Sequence, residues 1–481
     1  MQQESQPGKK KLTDSKLFGI GISILVGIIV YLIPTPEALQ ENPRTWRLFA
    51  VFVATIVALI ANPAPMGTIV LISLTFLVIT RTLPLAVALS GFSNTVIWLI
   101  ACAFFISRGF IKTGLGERIA FLFMAKLGKK TLGLAYSLIF AEGVMALTMP
   151  SNTARSGGII FPIVRSLTDA FGSKVEDGTR KKMGSFLYYT VMQVGIVLCA
   201  MFMTGMASNM ITVGFAADQG IEITYMIWLV AAIVPGLISI LVLPYVIYKI
   251  YPPEIKETPE AAEIAKKHLE KMGPMTLKEK QMIFVFILLV TMWIFGPNFG
   301  IAATTTAFVG LSVMFITNIL DFNDVISEKG AWDAFIWFAV LIMMAGQLNA
   351  LGFIPWFSQT AGGAVAGLGW IAAFAIIVLV YFYAHYFFAS ATAHITAMMP
   401  GFLAIALVVG TPPMLAALVL GFSSALCMGL THYGTGPSPI YFAPGYIKQS
   451  EWWGYALLLS VIMIVIWFGI GGFWWRIIGL W

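Results

Sequence analysis

Charge is what this sequence has least of. Asp, Glu, Lys and Arg supply 11% of its 481 residues, against 59% from Ala, Val, Ile, Leu, Met, Phe, Trp, Tyr and Cys. A soluble domain of this size has to present a hydrated surface, and that balance excludes one. Cysteine is scarce too. Cys102, Cys199 and Cys427 all fall within apolar runs, so neither a disulfide framework nor a thiolate metal site is read, and the three count as small packing residues. Only four histidines occur, and no spaced carboxylates or metal-ligand set joins them. No metal, no cofactor and no enzymatic centre is therefore expected. A concentrated basic surface with interleaved aromatic residues is also lacking, so the net charge of +7 points to positive cytoplasmic loops and not to a nucleic acid.

What the chain does have is apolar runs of bilayer length, such as 17–33 and 226–247, where a hydrocarbon core asks for about 20 helical residues. The expected fold is an all-α polytopic membrane protein of about eleven transmembrane helices. Its retained first span, with no small-residue cleavage pattern, follows a cytoplasmic tail of residues 1–16 whose Lys9, Lys10 and Lys11 stay inside. The basic segment 108–130 is placed on the same side. The stretch 131–149, the motif MPSNTARSGG and the following apolar piece are bounded by basic residues at both ends. A re-entrant hairpin at about 131–165, entering and leaving on one side, explains this better than two spans. Broken backbone of that kind survives at membrane depth only where protein or an aqueous cavity surrounds it. Residues 249–281 carry seven lysines and six glutamates and read as a cytoplasmic linker.

An offset of 239 residues superposes the two halves. Gly91 falls on Gly330, Ile97 and Trp98 on Ile336 and Trp337, Ser151 on Ser390, Thr153 on Thr392, and Arg155 on His394. The segments 17–248 and 282–481 are thus read as repeats, the second with its own hairpin at about 355–410. Gly91 lies at the outer end of its helix and Gly330 at the inner end, so the repeats run in opposite senses, the arrangement used for alternating access around a midplane site. Breaks at Thr204-Gly205 and Thr435-Gly436 match at an offset of 231. Each half therefore offers one hairpin tip and one broken helix.

Helices that stop inside the membrane leave N–H groups unpaired, and those groups attract carboxylate oxygens. Ser151, Asn152 and Thr153 add donors from one tip, Ser390 and Thr392 from the other, and Gly205, Thr435 and Gly436 mark the broken helices. Two facing donor clusters suit a small anion charged at both ends. Arg155 and His394, and His432 beside the second break, are candidates for charge compensation near the site, since an ionisable residue at this depth needs a cavity or a counter-charge. Glu142 is a candidate partner for an arginine, as a structural ion pair or a proton relay. His385, in YFYAHYFF, reads as a packing residue and His268 as part of the solvated linker.

SNT at 151–153 and its degenerate echo SAT at 390–392 resemble the paired signature tips of the divalent anion:sodium symporter family, over essentially the whole chain. The pattern PSNTAR with FASxxAHxxxMxP is similar to that of its bacterial citrate/succinate and tartrate/succinate antiporters and plastid 2-oxoglutarate/malate translocators. The resemblance implies a homodimer with elevator-type motion, and substrate carboxylates held by Ser151, Asn152, Thr153, Ser390 and Thr392. Sodium-coupled members hold sodium at the tips and breaks. Here Ala391 replaces the second asparagine, and THYGTGPSP lacks the Asn-type ending. The expected function is sodium-independent exchange of a di- or tricarboxylate such as succinate, fumarate, malate, 2-oxoglutarate or citrate in a bacterial plasma membrane, amino terminus cytoplasmic. The alternative is a sodium-coupled di/tricarboxylate or sulfate symporter. A channel would need a continuous polar pore.

Overall fold

In the computed structural model, residues 16–363 and 367–481 are described. Lys9, Lys10 and Lys11, and with them the expected cytoplasmic placement of the tail, lie outside the described residues. The described chain is all helical, its single extended contact being a bridge between Lys130 and Glu257. Among the described residues ten helices are long and apolar enough to cross a membrane, one fewer than the eleven spans expected, and shorter apolar helices accompany them. Three expected spans, Lys16–Leu32, Met66–Ile79 and Ala303–Ile316, are helices of only 17, 14 and 14 residues, while helix also appears where none of spanning length was expected. Leu115–Leu127, expected as basic loop, is a helix whose buried Arg118 forks onto Glu279 of Leu277–Phe295. Trp370–Phe387 and Ala391–Val408, expected as the arms of a hairpin, are each 18 residues long, about 27 Å at 1.5 Å per residue.

Burial sorts the helices into an inner and an outer set. Gly184–Met201 is buried along its whole length, and its neighbours Thr131–Ala146, Tyr225–Ile250 and Pro413–Leu426 enclose it. Lys16–Leu32 and Leu277–Phe295 instead expose large apolar side chains such as Ile24, Ile28, Phe284 and Ile287, which face lipid in a multi-pass membrane protein. The helices Thr95–Thr113 and Lys329–Ala350, whose sequences match at the 239-residue offset, pack on each other, with Gly91 so close to the Ala339 carbonyl that a Cβ there would collide with it.

Backbone groups released inside the bundle are met by side chains. Pro235, within Tyr225–Ile250, has no N–H for the Ala231 carbonyl, and the Trp475 indole donates to that oxygen at 2.8 Å. The linker is fastened rather than free. Thr131 donates to Ile255 O at 2.6 Å, Thr258 to Gly128 O at 2.9 Å, and the Ile255 N–H to Lys182 O at 2.8 Å. These bonds strap the linker to the feet of two inner helices. Its helix Pro259–Met272 lies against Leu115–Leu127, and His268 stacks on Phe121 at 4.5 Å.

Candidate functional site

The first tip forms where Thr131–Ala146 stops. Residues 147–151 are irregular, Thr153–Ile160 winds as a widened π-type helix, and Phe161–Ala170 continues it without a gap, with Pro162, which has no N–H to give, at the junction. Ser151 caps this element by accepting from the Ala154 N–H at 3.2 Å. In the other half Ser390 accepts from the Ala393 N–H at 3.4 Å and starts Ala391–Val408. The 239-residue offset that relates Ser151 to Ser390 relates the two donors as well. The serines thus do the same local work, capping a helix inside the protein.

The breaks are built differently. Gly184–Met201 ends at Phe202, Met203–Gly205 makes a tight turn, and Ala207–Ala217 resumes. Asn209 donates to the Cys199 and Phe202 carbonyls at 2.7 and 2.9 Å, taking oxygens that the break sets free. A Cβ at Gly205 would run into the Leu198 and Cys199 carbonyls, so only glycine fits there. The second break follows Pro413–Leu426 through the turn Cys427–Leu430 and residues 431–436 to Pro437–Phe442.

These four elements meet pairwise. The first tip touches the first break through Thr204, which donates to Leu147 O at 2.7 Å, and through Arg155, which donates to Gly205 O at 3.0 Å. It touches the second break where Gly436 sits so close that a Cβ would collide with the Thr153 hydroxyl, and where Tyr441 donates to Ser156 O at 3.1 Å. At the second tip, the Thr392 hydroxyl lies 3.4 Å from that of Ser208 in the first break. His385 Nε2 lies 3.0 Å from Gly434 O of the second break. Each tip therefore contacts both breaks. Thr153 and Gly436 are exposed and Ser390 and Thr392 half-buried, whereas Ser151, Asn152, Gly205 and Thr435 are buried.

Arg155 is fully buried, and every contact of its guanidinium is inside the protein. Nε donates to Glu142 Oε1 at 3.2 Å, Nη1 to Met149 O at 2.7 Å as well as to Gly205 O, and Nη2 to Asn152 Oδ1 at 3.4 Å. Nη2 also lies 3.4 Å from Cys199 Sγ. Of the two readings of Glu142, the ion pair is what the geometry contains: both side chains have no exposure. Arg155 is consequently not a lone positive charge. Its net charge is cancelled by Glu142 and its fork is spent on backbone oxygens.

His394, also fully buried, sits among the rings of Tyr381, His385 and Phe388, at 4.4, 5.1 and 5.1 Å between centroids, with Nδ1 3.7 Å from Cys427 Sγ. His432 stands apart. Its Nδ1 accepts from the Trp453 indole at 3.2 Å, a role that only an imidazole with a free lone pair can fill, and its ring lies against Phe442. That bond argues against the compensating charge expected of it. Sequence reasoning named Thr204 only as part of a break and passed over Ser208, Asn209, Ser156 and Tyr441. Ser208 and Asn209 lie just past the Thr204-Gly205 break it singled out, where short polar residues beside a helix interruption were the available signal. Tyr441 had none.

The family described as the sodium:sulfate symporter transmembrane region matches residues 14–481. The spinach protein named dicarboxylate transporter 1, chloroplastic, is 48% identical over 95% of this chain and 81% of its own length. The L-tartrate/succinate antiporter of Shigella sonnei (strain Ss046) is 33% identical over 91% and 93%. YflS of Bacillus subtilis (strain 168), provisionally named a malate transporter, is 50% identical over the whole of both chains. Among solved structures, the YdaH transporter of Alcanivorax borkumensis superposes with a TM-score of 0.51 over 96% of this chain and 97% of its own, at 11% identity, a likeness of fold alone.

Proposed function

The chain belongs to the sodium:sulfate symporter transmembrane family, a family of transporters and not of enzymes, and from that membership we propose that it exchanges dicarboxylates across a bacterial plasma membrane without sodium. Succinate, fumarate, malate and 2-oxoglutarate are the substrates proposed, with citrate as the tricarboxylate. In this reading Ser151, Asn152 and Thr153 take one carboxylate, and Ser390 and Thr392 the other. Gly205, Thr435 and Gly436 bring the broken helices against the ligand. The names of the chloroplast and tartrate/succinate relatives support the substrate class.

The observation that carries the sodium-independent reading is the position of the Arg155 fork. A hard cation is held by oxygens. At the first tip and break the Met149 and Gly205 carbonyls already accept N–H groups of Arg155, and the Asn152 amide oxygen lies at the edge of the same fork. Oxygens so used are withdrawn from a sodium ion. His394 Nε2 has no hydrogen-bond partner, so a part for His394 as compensating charge at the second tip is proposed from its repeat relation to Arg155 alone, and His432 is left out. The lone-charge rationale for exchange falls away once Glu142 neutralises Arg155. Transport without sodium still favours exchange on other grounds. A dianion moving alone against a potential of about 100 mV works against roughly 4.6 kcal/mol, while a one-for-one swap of dianions cancels that work.

The two repeats, 17–248 and 282–481, with re-entrant hairpins at about 131–165 and 355–410 and the linker 249–281, are proposed to move as an elevator within a homodimer. The matching serine caps support the repeat relation. The competing reading, sodium-coupled uptake of a di- or tricarboxylate or of sulfate, draws on the intact SNT at 151–153. Uptake of labelled succinate into proteoliposomes separates the two. Uptake that requires internal dicarboxylate and ignores sodium supports exchange, and uptake into empty vesicles driven by inward sodium overturns it.

A further inference from the structure

Three side chains from three separate segments converge behind the second tip. His385 lies in the turn Ala384–Phe387, His394 in the first turn of Ala391–Val408, and Cys427 where Pro413–Leu426 gives way to the turn Cys427–Leu430. All three are fully buried, and one ligand atom from each lies within 4.8 Å of the other two. No motif spacing links residues 385, 394 and 427. They read in sequence as two packing residues and a tip residue, and the fold alone assembles them.

The surroundings prepare these atoms for a metal ion. Gly434 O has no proton, so His385 Nε2 at 3.0 Å is the protonated nitrogen, and the lone pair is left on Nδ1. His385 Nδ1 has no hydrogen-bond partner, and neither has His394 Nε2. An imidazole anchored through one nitrogen to a backbone carbonyl, with the other free, is the usual dress of a metal-binding histidine. Cys427 Sγ supplies a soft donor 3.7 Å from His394 Nδ1. The walls are the rings of Tyr381 and Phe388, and the cluster itself contains no carboxylate. Two nitrogens and one sulfur in a dry aromatic setting disfavour sodium, magnesium or calcium, which need oxygen, and favour a thiophilic d10 ion.

We propose that His385, His394 and Cys427 form a binding site for a thiophilic d10 metal ion, Zn(II) or Cu(I). On binding, the Cys427 thiol releases its proton to solvent as the metal–sulfur bond forms. Zn(II) then leaves one net positive charge at the site and Cu(I) none. Either ion ties the second tip to the second break, and through Gly434 to the loop that carries Thr435 and Gly436. The site does not depend on which anion is carried or on exchange, and its test needs no transport.

The full chain, purified in detergent and stripped with a chelator, is titrated with Co(II) as a spectroscopic stand-in for Zn(II). Cu(I) is titrated separately against a coloured competing chelator. The expected result is one ion per chain and, with Co(II), a thiolate-to-metal absorption band. Cys427→Ser should abolish the band and weaken binding by about 100-fold, His385→Asn should weaken it by about 10-fold or more, and Cys102→Ser should leave it intact. Tight binding of Cu(I) alone or of Zn(II) alone identifies the ion. Should Cys427→Ser fold poorly, the unaltered protein still answers: a thiol-reactive dye reports cysteine exposure on heating, and Zn(II) or Cu(I) should raise that transition with reversal by chelator. Binding well below one ion per chain, binding indifferent to Cys427→Ser, or an unmoved transition overturns the proposal.

Discussion

Replacing Arg155 by glutamine tests the buried pair and the occupied carbonyls together. The substitution strands the Glu142 carboxylate, which has no exposure and whose Oε2 already lacks a partner. Breaking one side of such a pair costs about 3–5 kcal/mol. The Met149 and Gly205 carbonyls lose their donor as well, at about 1–3 kcal/mol for each left unsatisfied. Together these approach the whole stability of a typical domain, about 5–15 kcal/mol, so Arg155→Gln is expected to unfold readily and to transport nothing. Glu142→Gln strands the opposite charge and should fare similarly. The double variant Glu142→Gln/Arg155→Gln removes both charges and leaves only the carbonyl cost. By these figures it should recover about 6–10 kcal/mol over the sum of the single effects, because neither stranded-charge cost remains. Its freed carbonyls are open to a cation, so sodium, without effect on the parent protein, should stabilise the double variant. The assay is unfolding in mixed micelles across the four proteins, with and without sodium. A coupling below about 0.5 kcal/mol, the scatter expected of independent sites, would refute the account of Arg155, as would wild-type stability in Arg155→Gln.

Other expectations follow from single contacts. Gly436→Ala places a methyl against the Thr153 hydroxyl; counterflow of labelled succinate should fall steeply while the protein still elutes as a monodisperse peak. Thr392→Val keeps shape and removes one hydroxyl, which should weaken succinate binding by about tenfold, the value of one neutral hydrogen bond near 1.4 kcal/mol, read as a rise in the half-saturating concentration. Arg180 donates to both Glu451 oxygens, to Tyr446 O and to Tyr251, pinning the 171–183 loop to two helices. Arg180→Lys cannot reproduce that fork and should lower the melting temperature, and an unchanged melting curve would show the latch to be idle.

The candidate site was legible as far as the 239-residue offset between the two halves of the sequence reaches. The offset pairing Ser151 with Ser390 singled out both serines before any geometry, though as carboxylate donors and not as the helix caps that the hydrogen bonds show, and the interruptions at Thr204-Gly205 and in THYGTGPSP lie where the helices break. What stayed hidden depends on partners distant in sequence. Arg118 reads as a loop residue until Glu279, 161 positions on, neutralises it inside the bundle. Glu142 was compatible with two roles until its distance to Arg155 was known. The hydrogen bond from Trp453 to His432 joins residues 21 apart across a turn that no periodicity predicts. The grouping of Cys427 with two histidines is likewise a product of packing, since Cys427 looks the same in sequence as the packing cysteine Cys102.

The separation between Arg155 and its partners bears on how the protein is made. Chains are synthesised from the amino terminus, and early segments must reside in the membrane before late ones exist. Glu142 lies only thirteen residues before Arg155, so the costliest side chain of the core meets its counter-ion within one short nascent segment. The contacts with Gly436 and Tyr441 wait for some 280 further residues. A ribosome-bound chain ending just past the linker should already hold Arg155 safely, whereas the proposed binding site comes into being only when the last quarter of the chain inserts.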